Sequence, residues 1–178
     1  MKIPFRKEAG FTLIEMLIVV IVLGILAMII IPQINVSTGE ARLSTMRTNL
    51  STIRNAIELY YHQHNNVYPG AVKIDGSGTA TVAADLPAAF TDQLIYYSQL
   101  DGKTSSDKST LTAPIFGPYL KTATLPQNPY NESSAVTCDI TTIDLALRAA
   151  TPADGTGWKF YVKMGVFIAN DSATSGTY

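Results

Sequence analysis

The chain has 178 residues, 47% of them hydrophobic, and a formal net charge of −1. That length suits one small domain with an appendage. The near-zero charge and the absence of any dense Lys/Arg cluster in the sequence argue against a protein that binds nucleic acid through a basic patch.

The N-terminus joins a short basic leader to a long apolar run. Three Lys or Arg residues lie within the first seven positions, and an almost unbroken apolar stretch follows from Met16 to Ile31. From Phe11 to Pro32 the chain has about 22 residues, which at ~1.5 Å per residue covers the ~30 Å hydrocarbon core of a bilayer. This pattern predicts a membrane-spanning helix with its basic flank in the cytoplasm and the rest of the chain outside.

Glu15 is the one ionisable side chain between Phe11 and Pro32. Because a charge deep in hydrocarbon costs at least ~2.5 kcal/mol, the carboxylate needs a partner or access to water. If the chain is cut between Gly10 and Phe11, the new amino group of Phe11 lies about one helical turn from Glu15. The two groups could then pair within one subunit or between neighbouring subunits.

The segment Lys7-Glu8-Ala9-Gly10-Phe11-Thr12-Leu13-Ile14-Glu15 resembles the type III leader and processing site of type IV pilins and type II secretion pseudopilins. The resemblance implies a prepilin peptidase that cuts after Gly10 and methylates the amine of Phe11. It also implies that Glu15 neutralises the Phe11 amine of a neighbouring subunit during filament assembly.

Gly24 and Pro32 interrupt the apolar run at positions where family members carry a helix-breaking pair. The resemblance therefore implies that this part of the helix melts in the filament. A proline in an exposed helix interior costs ~3 kcal/mol. Since helical patterns continue on both sides of Pro32, we expect a kink rather than an end, with neighbouring helices satisfying the freed carbonyl.

Two other interpretations of the N-terminus remain. An ordinary secretory signal has an apolar region of about 7–15 residues and is cut after small residues. Here Glu15 interrupts a longer run, and the downstream candidate Ser37-Thr38-Gly39 is a weak cleavage site. The other possibility is an uncleaved single-pass anchor.

Beyond Pro32 the sequence stays helical but becomes amphipathic. Apolar residues recur at steps of three and four and form one stripe that a folded domain must cover. The stripe consists of Leu43, Met46, Leu50, Ile53, Ile57, Tyr60 and His64. It stops at the breaker Tyr68-Pro69-Gly70. The pattern predicts one helix from about Thr12 to Asn65.

The remainder predicts an α+β head. Residues 72–84 are predicted to form a loop with one short strand, and residues 86–100 to form a second helix. Residues 101–112 are predicted to form an exposed loop. The segments Trp158–Lys163 and Val166–Ala169 are predicted to form a hairpin around Met164-Gly165. A long helix packed on a small antiparallel sheet is an α+β arrangement and also the pilin-like fold. Four regions follow: leader 1–10, transmembrane and assembly helix 11–32, amphipathic continuation 33–68, and globular head 69–178.

Cys138 is the single cysteine, so the internal disulfide that closes a loop in many type IV pilins cannot form. This favours a pseudopilin. We expect Cys138 to be a small buried hydrophobe, with an intermolecular disulfide as the alternative.

His62 and His64 lie two apart on a helix, unlike an i, i+4 metal pair. No hydrolase, P-loop or dinucleotide motif occurs in the sequence, and no enzyme activity is predicted.

The head also resembles the major pseudopilin branch in short segments such as Leu125-Pro126-Gln127-Asn128-Pro129. That resemblance implies a calcium site in a C-terminal loop, built from carboxylate and carbonyl oxygens. The candidate ligands are Asp139, Asp144, Asp154 and Asp171. These residues form no D-x-D-x-D-G pattern, and acidic residues scattered in this way are usually solvated. We therefore expect no cofactor, with calcium as the alternative.

The resemblance implies a structural subunit of a type IV pilus-like filament, with a type II secretion pseudopilin favoured. Such a subunit is expected in the bacterial inner membrane, with its C-terminal domain in the periplasm. Its expected partners are further copies of itself, the prepilin peptidase, and the assembly platform with its ATPase. Nucleic acid is not an expected partner. The alternatives are a type IV pilin that forms surface fibres for adhesion or twitching, a membrane-tethered periplasmic binding domain, and an enzyme on an anchor.

Overall fold

The computed structural model describes residues 10–80 and 85–177, without the side chains of residues 29–37 and 177. Residues 1–9 of the predicted leader lie outside the described residues. The chain divides into two compact units, Met1–Ala41 and Arg42–Tyr178. The predicted long helix runs through both.

Helix α1 spans Leu13–Gln63 and has 51 residues, which confirms the prediction of one long helix. It continues through position 32, so Pro32 does not end it, as expected. None of the helices in the described part of the chain is long and apolar enough to cross a membrane. The predicted membrane-spanning segment 11–32 includes residues 29–32, whose side chains are outside the described part of the structure. The membrane span therefore stays a prediction.

In the second unit, one face of α1 is buried in the core of the head. Six of the seven predicted stripe residues expose at most 2% of their surface, and Leu43 is partly exposed. The buried six are Met46, Leu50, Ile53, Ile57, Tyr60 and His64. They pack against aromatic and aliphatic residues of the head, among them Phe90, Leu94, Trp158, Phe160 and Phe167. The head thus covers the stripe, as its helical spacing requires.

Helix α2 spans Asp85–Ile95, so the predicted second helix begins where expected but ends earlier than residue 100. The residues that follow form strand β1, Tyr97–Gln99. The prediction was wrong here because the helical spacing of apolar residues stops at Ile95, after which consecutive tyrosines favour a strand. The buried Gln93 of α2 donates to the carbonyls of Val72 and Gly102, each at 3.0 Å, and so connects α2 to the loops before and after it.

The first sheet has three strands in the order β2-β1-β3, all antiparallel. Strand β2 is Thr104–Ser105 and strand β3 is Ile115–Phe116. The predicted loop 101–112 therefore contains a short strand, and it also contains a 3-10 helix at Lys108–Thr110. Two-residue strands carry too little alternation to be recognised in a sequence.

The second sheet has three strands in the order β4-β5-β6. Strands β5, Trp158–Tyr161, and β6, Val166–Ala169, form the predicted antiparallel hairpin. Strand β4, Val136–Asp139, was not predicted and lies parallel to β5. The α+β fold is confirmed, but its sheets are not purely antiparallel.

A parallel pair needs a crossover of a dozen or more residues, and residues 140–157 form it. This crossover contains 3-10 helices at Leu145–Leu147 and Pro152–Asp154; a further one lies at Ser175–Thr177. It packs on the second sheet, where the Tyr161 hydroxyl accepts from the Ala149 amide at 2.7 Å and donates to the Ala149 carbonyl at 2.8 Å. All four residues of β5 are consequently buried.

The burial of the stripe predicts the effect of truncating α1. Ile53 is fully buried, with 0% exposed, whereas Leu59 on the same helix is 50% exposed. Replacing Ile53 with Ala should lower the free energy of unfolding by about 2–5 kcal/mol because it leaves a cavity. Leu59→Ala, the matched control, should change it by no more than about 0.5 kcal/mol. Chemical denaturation of the full-length chain in detergent measures both, and equal losses would contradict this packing of α1.

Candidate processing and assembly site

The predicted cleavage point lies in exposed backbone before the first helix. Gly10, Phe11 and Thr12 precede α1 and are exposed, and the Phe11 side chain is 81% exposed. A Cβ atom added at Gly10 would meet no atom within 4 Å. Since nothing in the described structure requires a glycine here, packing within the subunit does not explain this residue.

Thr12 and Glu15 form a reciprocal cap at the start of α1. The backbone N–H and the hydroxyl of Thr12 each donate to Glu15 Oε2 at 2.7 Å. The backbone N–H of Glu15 donates to the Thr12 hydroxyl at 3.3 Å. This is a capping box, in which a Thr before the helix and a Glu three residues later satisfy each other's orphan donors. The Thr-x-x-Glu spacing was visible in the sequence, but the sequence analysis considered only the charge of Glu15.

The cap fixes where the Glu15 carboxylate lies relative to the predicted new N-terminus. Both hydrogen bonds from Thr12 go to Oε2, and Oε1 accepts none from the residues that the structure describes. Phe11 is the residue next to Thr12. The arrangement leaves one carboxylate oxygen able to accept a further donor at the exposed end of the helix. The cap also gives Glu15 a structural role that is independent of any partner.

An apolar sleeve follows the cap. We use this name for residues 13–28, whose large hydrophobic side chains are between 46% and 87% exposed. These hydrophobic residues lie on every side of the helix. Packing one face of the helix against a domain would therefore leave most of them exposed. An exposed apolar surface of this extent marks a site of contact with another apolar surface.

Gly24 lies within this sleeve, and a Cβ atom there would meet no atom within 4 Å. Packing inside the subunit therefore does not require Gly24 either. Pro32 lies in α1, and its side chain is outside the described residues. Their predicted role in helix flexibility stays a prediction.

The structure does not bring the four candidate calcium ligands together. Among the described residues, no group of three or more His, Cys, Asp or Glu side chains could hold a metal ion. Each acid instead accepts hydrogen bonds from protein groups. Asp139 accepts from Thr141 and Thr142, Asp144 from Ala146, Asp154 from Thr137, Thr151, Thr156 and Asn170, and Asp171 from Asn128.

His62 lies in the last turn of α1, and His64 follows the end of the helix. His62 is exposed, whereas His64 is buried, stacks on Tyr60 with ring centroids 3.7 Å apart, and places Nδ1 2.9 Å from the Tyr60 carbonyl. Burial lowers the pKa of His64, so its neutral form is favoured.

Cys138 is free and partly buried against the core. Burial raises the pKa of its thiol to about 12, which disfavours a reactive thiolate.

Comparison with known proteins supports the same N-terminal site. The family model for the prokaryotic N-terminal methylation motif matches residues 5–31. The matched range includes Gly10, Phe11, Glu15 and Gly24. The resemblance that the leader residues indicate is therefore confirmed for this part of the chain.

Three curated relatives carry the name type II secretion system core protein G. That of Pseudomonas aeruginosa is 36% identical over 64 residues, which are 36% of this chain and 44% of the relative. That of Vibrio cholerae is 38% identical over 64 residues, 36% of this chain and 43% of the relative. That of Aeromonas hydrophila is 30% identical over 88 residues, 49% of this chain and 61% of the relative.

The chain thus matches about half the length of these curated relatives. No solved structure matches it. The similarity supports a type II secretion pseudopilin, which the sequence resemblance also favours.

The Asp139 network predicts how the head responds to acid. Partial burial of Asp139 opposes its ionisation, but four hydrogen bonds from Thr141 and Thr142 outweigh this and lower its pKa to about 2. An unfolded Asp has a pKa of about 3.9. The folded pKa is the lower one, so this contribution to stability is complete above about pH 4 and is lost as the pH falls towards 2.

Asp139→Asn should therefore lower stability near neutral pH and reduce the loss of stability between about pH 4 and 2. Asp144→Asn is the control, because that carboxylate accepts one hydrogen bond, from the Ala146 amide at 2.9 Å. The measurement is thermal unfolding of the full-length chain in detergent across this pH range. An unchanged acid limb in Asp139→Asn would contradict the assignment.

Proposed function

We propose that this chain is a structural subunit of a type IV pilus-like filament, and specifically a type II secretion pseudopilin that assembles into a periplasmic pseudopilus. The observation that carries the proposal is the order of features at the N-terminus: an exposed Gly10–Phe11 bond, a capped Glu15 and an apolar sleeve. The methylation-motif match over residues 5–31 and the relatives named core protein G support it.

Processing comes first in the proposed sequence of events. A prepilin peptidase cuts the Gly10–Phe11 bond and methylates the new amine of Phe11. Exposed backbone outside the helix supports this step, because a peptidase must reach the bond it cuts. The absence of any neighbour that would clash with a Cβ at Gly10 also supports it, since the preference for glycine then belongs to the peptidase.

The subunit next waits in the bacterial inner membrane, with its head in the periplasm. The apolar run through Ile31 and the basic residues before it support a single span with the leader in the cytoplasm. The same sleeve then exchanges lipid for the helices of other subunits as an assembly platform and its ATPase extract the subunit. Both environments are apolar, so this exchange needs little change in hydrophobic burial.

Glu15 aligns neighbouring subunits during that exchange. Its carboxylate pairs with the Phe11 amine of the next copy, which removes two isolated charges from an apolar bundle. Desolvation of both ions offsets much of their attraction, so the pair fixes the register more than it adds net stability. Support comes from the cap, which occupies Oε2 and leaves Oε1 for a further donor.

Gly24 and Pro32 permit local melting of the assembled helix. A glycine in a helix interior is less favourable than Ala by about 1 kcal/mol, and a proline by about 3 kcal/mol. The cost of Gly24 is not offset by a close contact among the described residues, because its Cβ position has open space around it. The proposed benefit is a helix that can unwind where the filament requires it.

The proposal gives the chain no catalytic role. His64 is buried against Tyr60, and Cys138 has the raised pKa of an unreactive thiol. The work of the subunit is mechanical, since it supplies length and contacts to a filament that drives protein export.

The central test separates the two roles of Glu15. Glu15→Ala removes both the cap and the charge, whereas Thr12→Val removes the two hydrogen bonds of the Thr12 hydroxyl and keeps the carboxylate and its bond from the backbone N–H of residue 12. We expect Glu15→Ala to be inserted and cleaved normally but to lower filament yield at least about tenfold, because the Phe11 amine is left as an unpaired charge in an apolar bundle. Thr12→Val should keep most of the yield. Filaments are quantified by shearing and immunoblotting from cells that express each variant, with leader cleavage read on the same blot.

Two results would contradict this assignment. Normal filament yield from Glu15→Ala would remove the proposed pairing with Phe11. Equal losses in Glu15→Ala and Thr12→Val would show that Glu15 acts as a helix cap alone.

A further inference from the structure

The crossover of residues 140–157 ends in a network centred on Asp154. Its carboxylate accepts five hydrogen bonds from four residues, three of them threonines. Oδ1 accepts from Asn170 Nδ2 at 2.8 Å, the Thr156 hydroxyl at 3.1 Å and the Thr156 amide at 3.3 Å; Oδ2 accepts from the hydroxyls of Thr137 and Thr151, each at 3.0 Å. The carboxylate is therefore held from several directions.

Asn170 is the second centre of this network and is fully buried, with 0% exposed. Its Oδ1 accepts from the Thr151 amide, and its Nδ2 donates to the Thr151 carbonyl at 3.2 Å. The same Nδ2 donates to Asp154 and to the Thr156 hydroxyl, each at 2.8 Å. Both polar atoms of this buried amide are thus satisfied, as burial requires.

The network connects parts of the chain that are far apart in sequence. Thr137 belongs to β4, Asp154 and its neighbours belong to the crossover, and Asn170 follows the last residue of β6. A carboxylate that joins these three parts closes the crossover onto the second sheet. In a crossover that contains only two short 3-10 helices, such a connection limits local opening.

The chemistry of this network does not fit calcium. A calcium ion takes six to eight oxygen ligands whose lone pairs converge on it. Two of the groups that face the Asp154 carboxylate, Asn170 Nδ2 and the backbone N–H of Thr156, can only donate, and the hydroxyls of three threonines donate to it as well. Asp154 is exposed, but its carboxylate already accepts five hydrogen bonds, so a cation would have to displace protein donors to bind these oxygens.

The other three candidate acids are held separately. Asp139 accepts four hydrogen bonds from the two threonines that follow it, Asp144 caps a 3-10 helix, and Asp171 accepts from Asn128 at 2.9 Å. Within the described residues no three acids, histidines or cysteines converge as metal ligands. The residues present therefore disagree with the calcium site that the major-pseudopilin resemblance implies.

We propose that Asp154 and Asn170 form a metal-independent lock that closes the crossover onto the sheet, so that the head folds and keeps its crossover in place without calcium. The hydrogen-bonded carboxylate supplies the connection between strand and loop that a bound cation would otherwise provide. The lock rests on contacts within the head and does not depend on filament assembly. Its failure in an experiment would leave the proposed function untouched.

The test is thermal unfolding of the full-length chain in detergent, in calcium chloride and in excess chelator. We expect the same midpoint in both within about 1 °C, whereas saturation of a native calcium site would raise it by about 5 °C or more. Calorimetric titration of calcium into chelator-treated protein should show no stoichiometric binding. A calcium-dependent midpoint or binding at one ion per chain would overturn the proposal.

Asp154→Asn tests the lock itself. The new amide places an N–H group against surrounding donors, and the midpoint should fall by about 5 °C or more with and without calcium. The control Asp144→Asn, in the same crossover, should shift it by less than about 2 °C. If Asp154→Asn yields no folded protein, Thr151→Val, which removes one hydroxyl donor, should give a smaller loss. No loss in either lock variant would also overturn the proposal.

Discussion

Helix α1 must satisfy two environments that one folded subunit cannot supply. From residue 13 to residue 28 its apolar side chains are exposed on all sides, whereas from Met46 to His64 one face is buried in the head. Packing against one domain can bury a single face of a helix, but it cannot bury a helix that is apolar on every side. In the proposed function, lipid and then other copies of the chain cover the first part of α1.

Glu15 lies in the first turn of α1, at the start of its exposed apolar part. In the isolated subunit the carboxylate is not an unpaired charge, since Thr12 donates to it twice at 2.7 Å. The same contacts orient it at the end of the helix, beside the residue that processing would make N-terminal. Glu15 thus stabilises the first turn of the helix, and the proposed function adds a second role, in which it aligns two subunits during assembly. In an apolar bundle, its desolvation makes a misaligned neighbour costly.

Much of this architecture was predictable because it depends on local pattern. The stripe on α1 and the β5–β6 hairpin follow from the spacing of apolar residues over one element. Strand β4 was missed because Val136–Asp139 is short and pairs in parallel with a strand beyond a long crossover. The networks around Asp154 were equally hidden, since its partners Thr137 and Asn170 lie 17 and 16 residues away. Sequence marks a carboxylate as a possible ligand, but only the fold shows whether donors or other acceptors surround it.

The most direct measurement is the intact mass of the protein from its native membrane, combined with N-terminal sequencing. The account predicts a chain that begins at Phe11 and carries one added methyl group. This would establish that the exposed Gly10–Phe11 bond is the processing site and that the amine opposite Glu15 is formed. A chain that begins at Met1, or near Glu40, would contradict the account, because the proposed pairing would then have no N-terminal amine at Phe11.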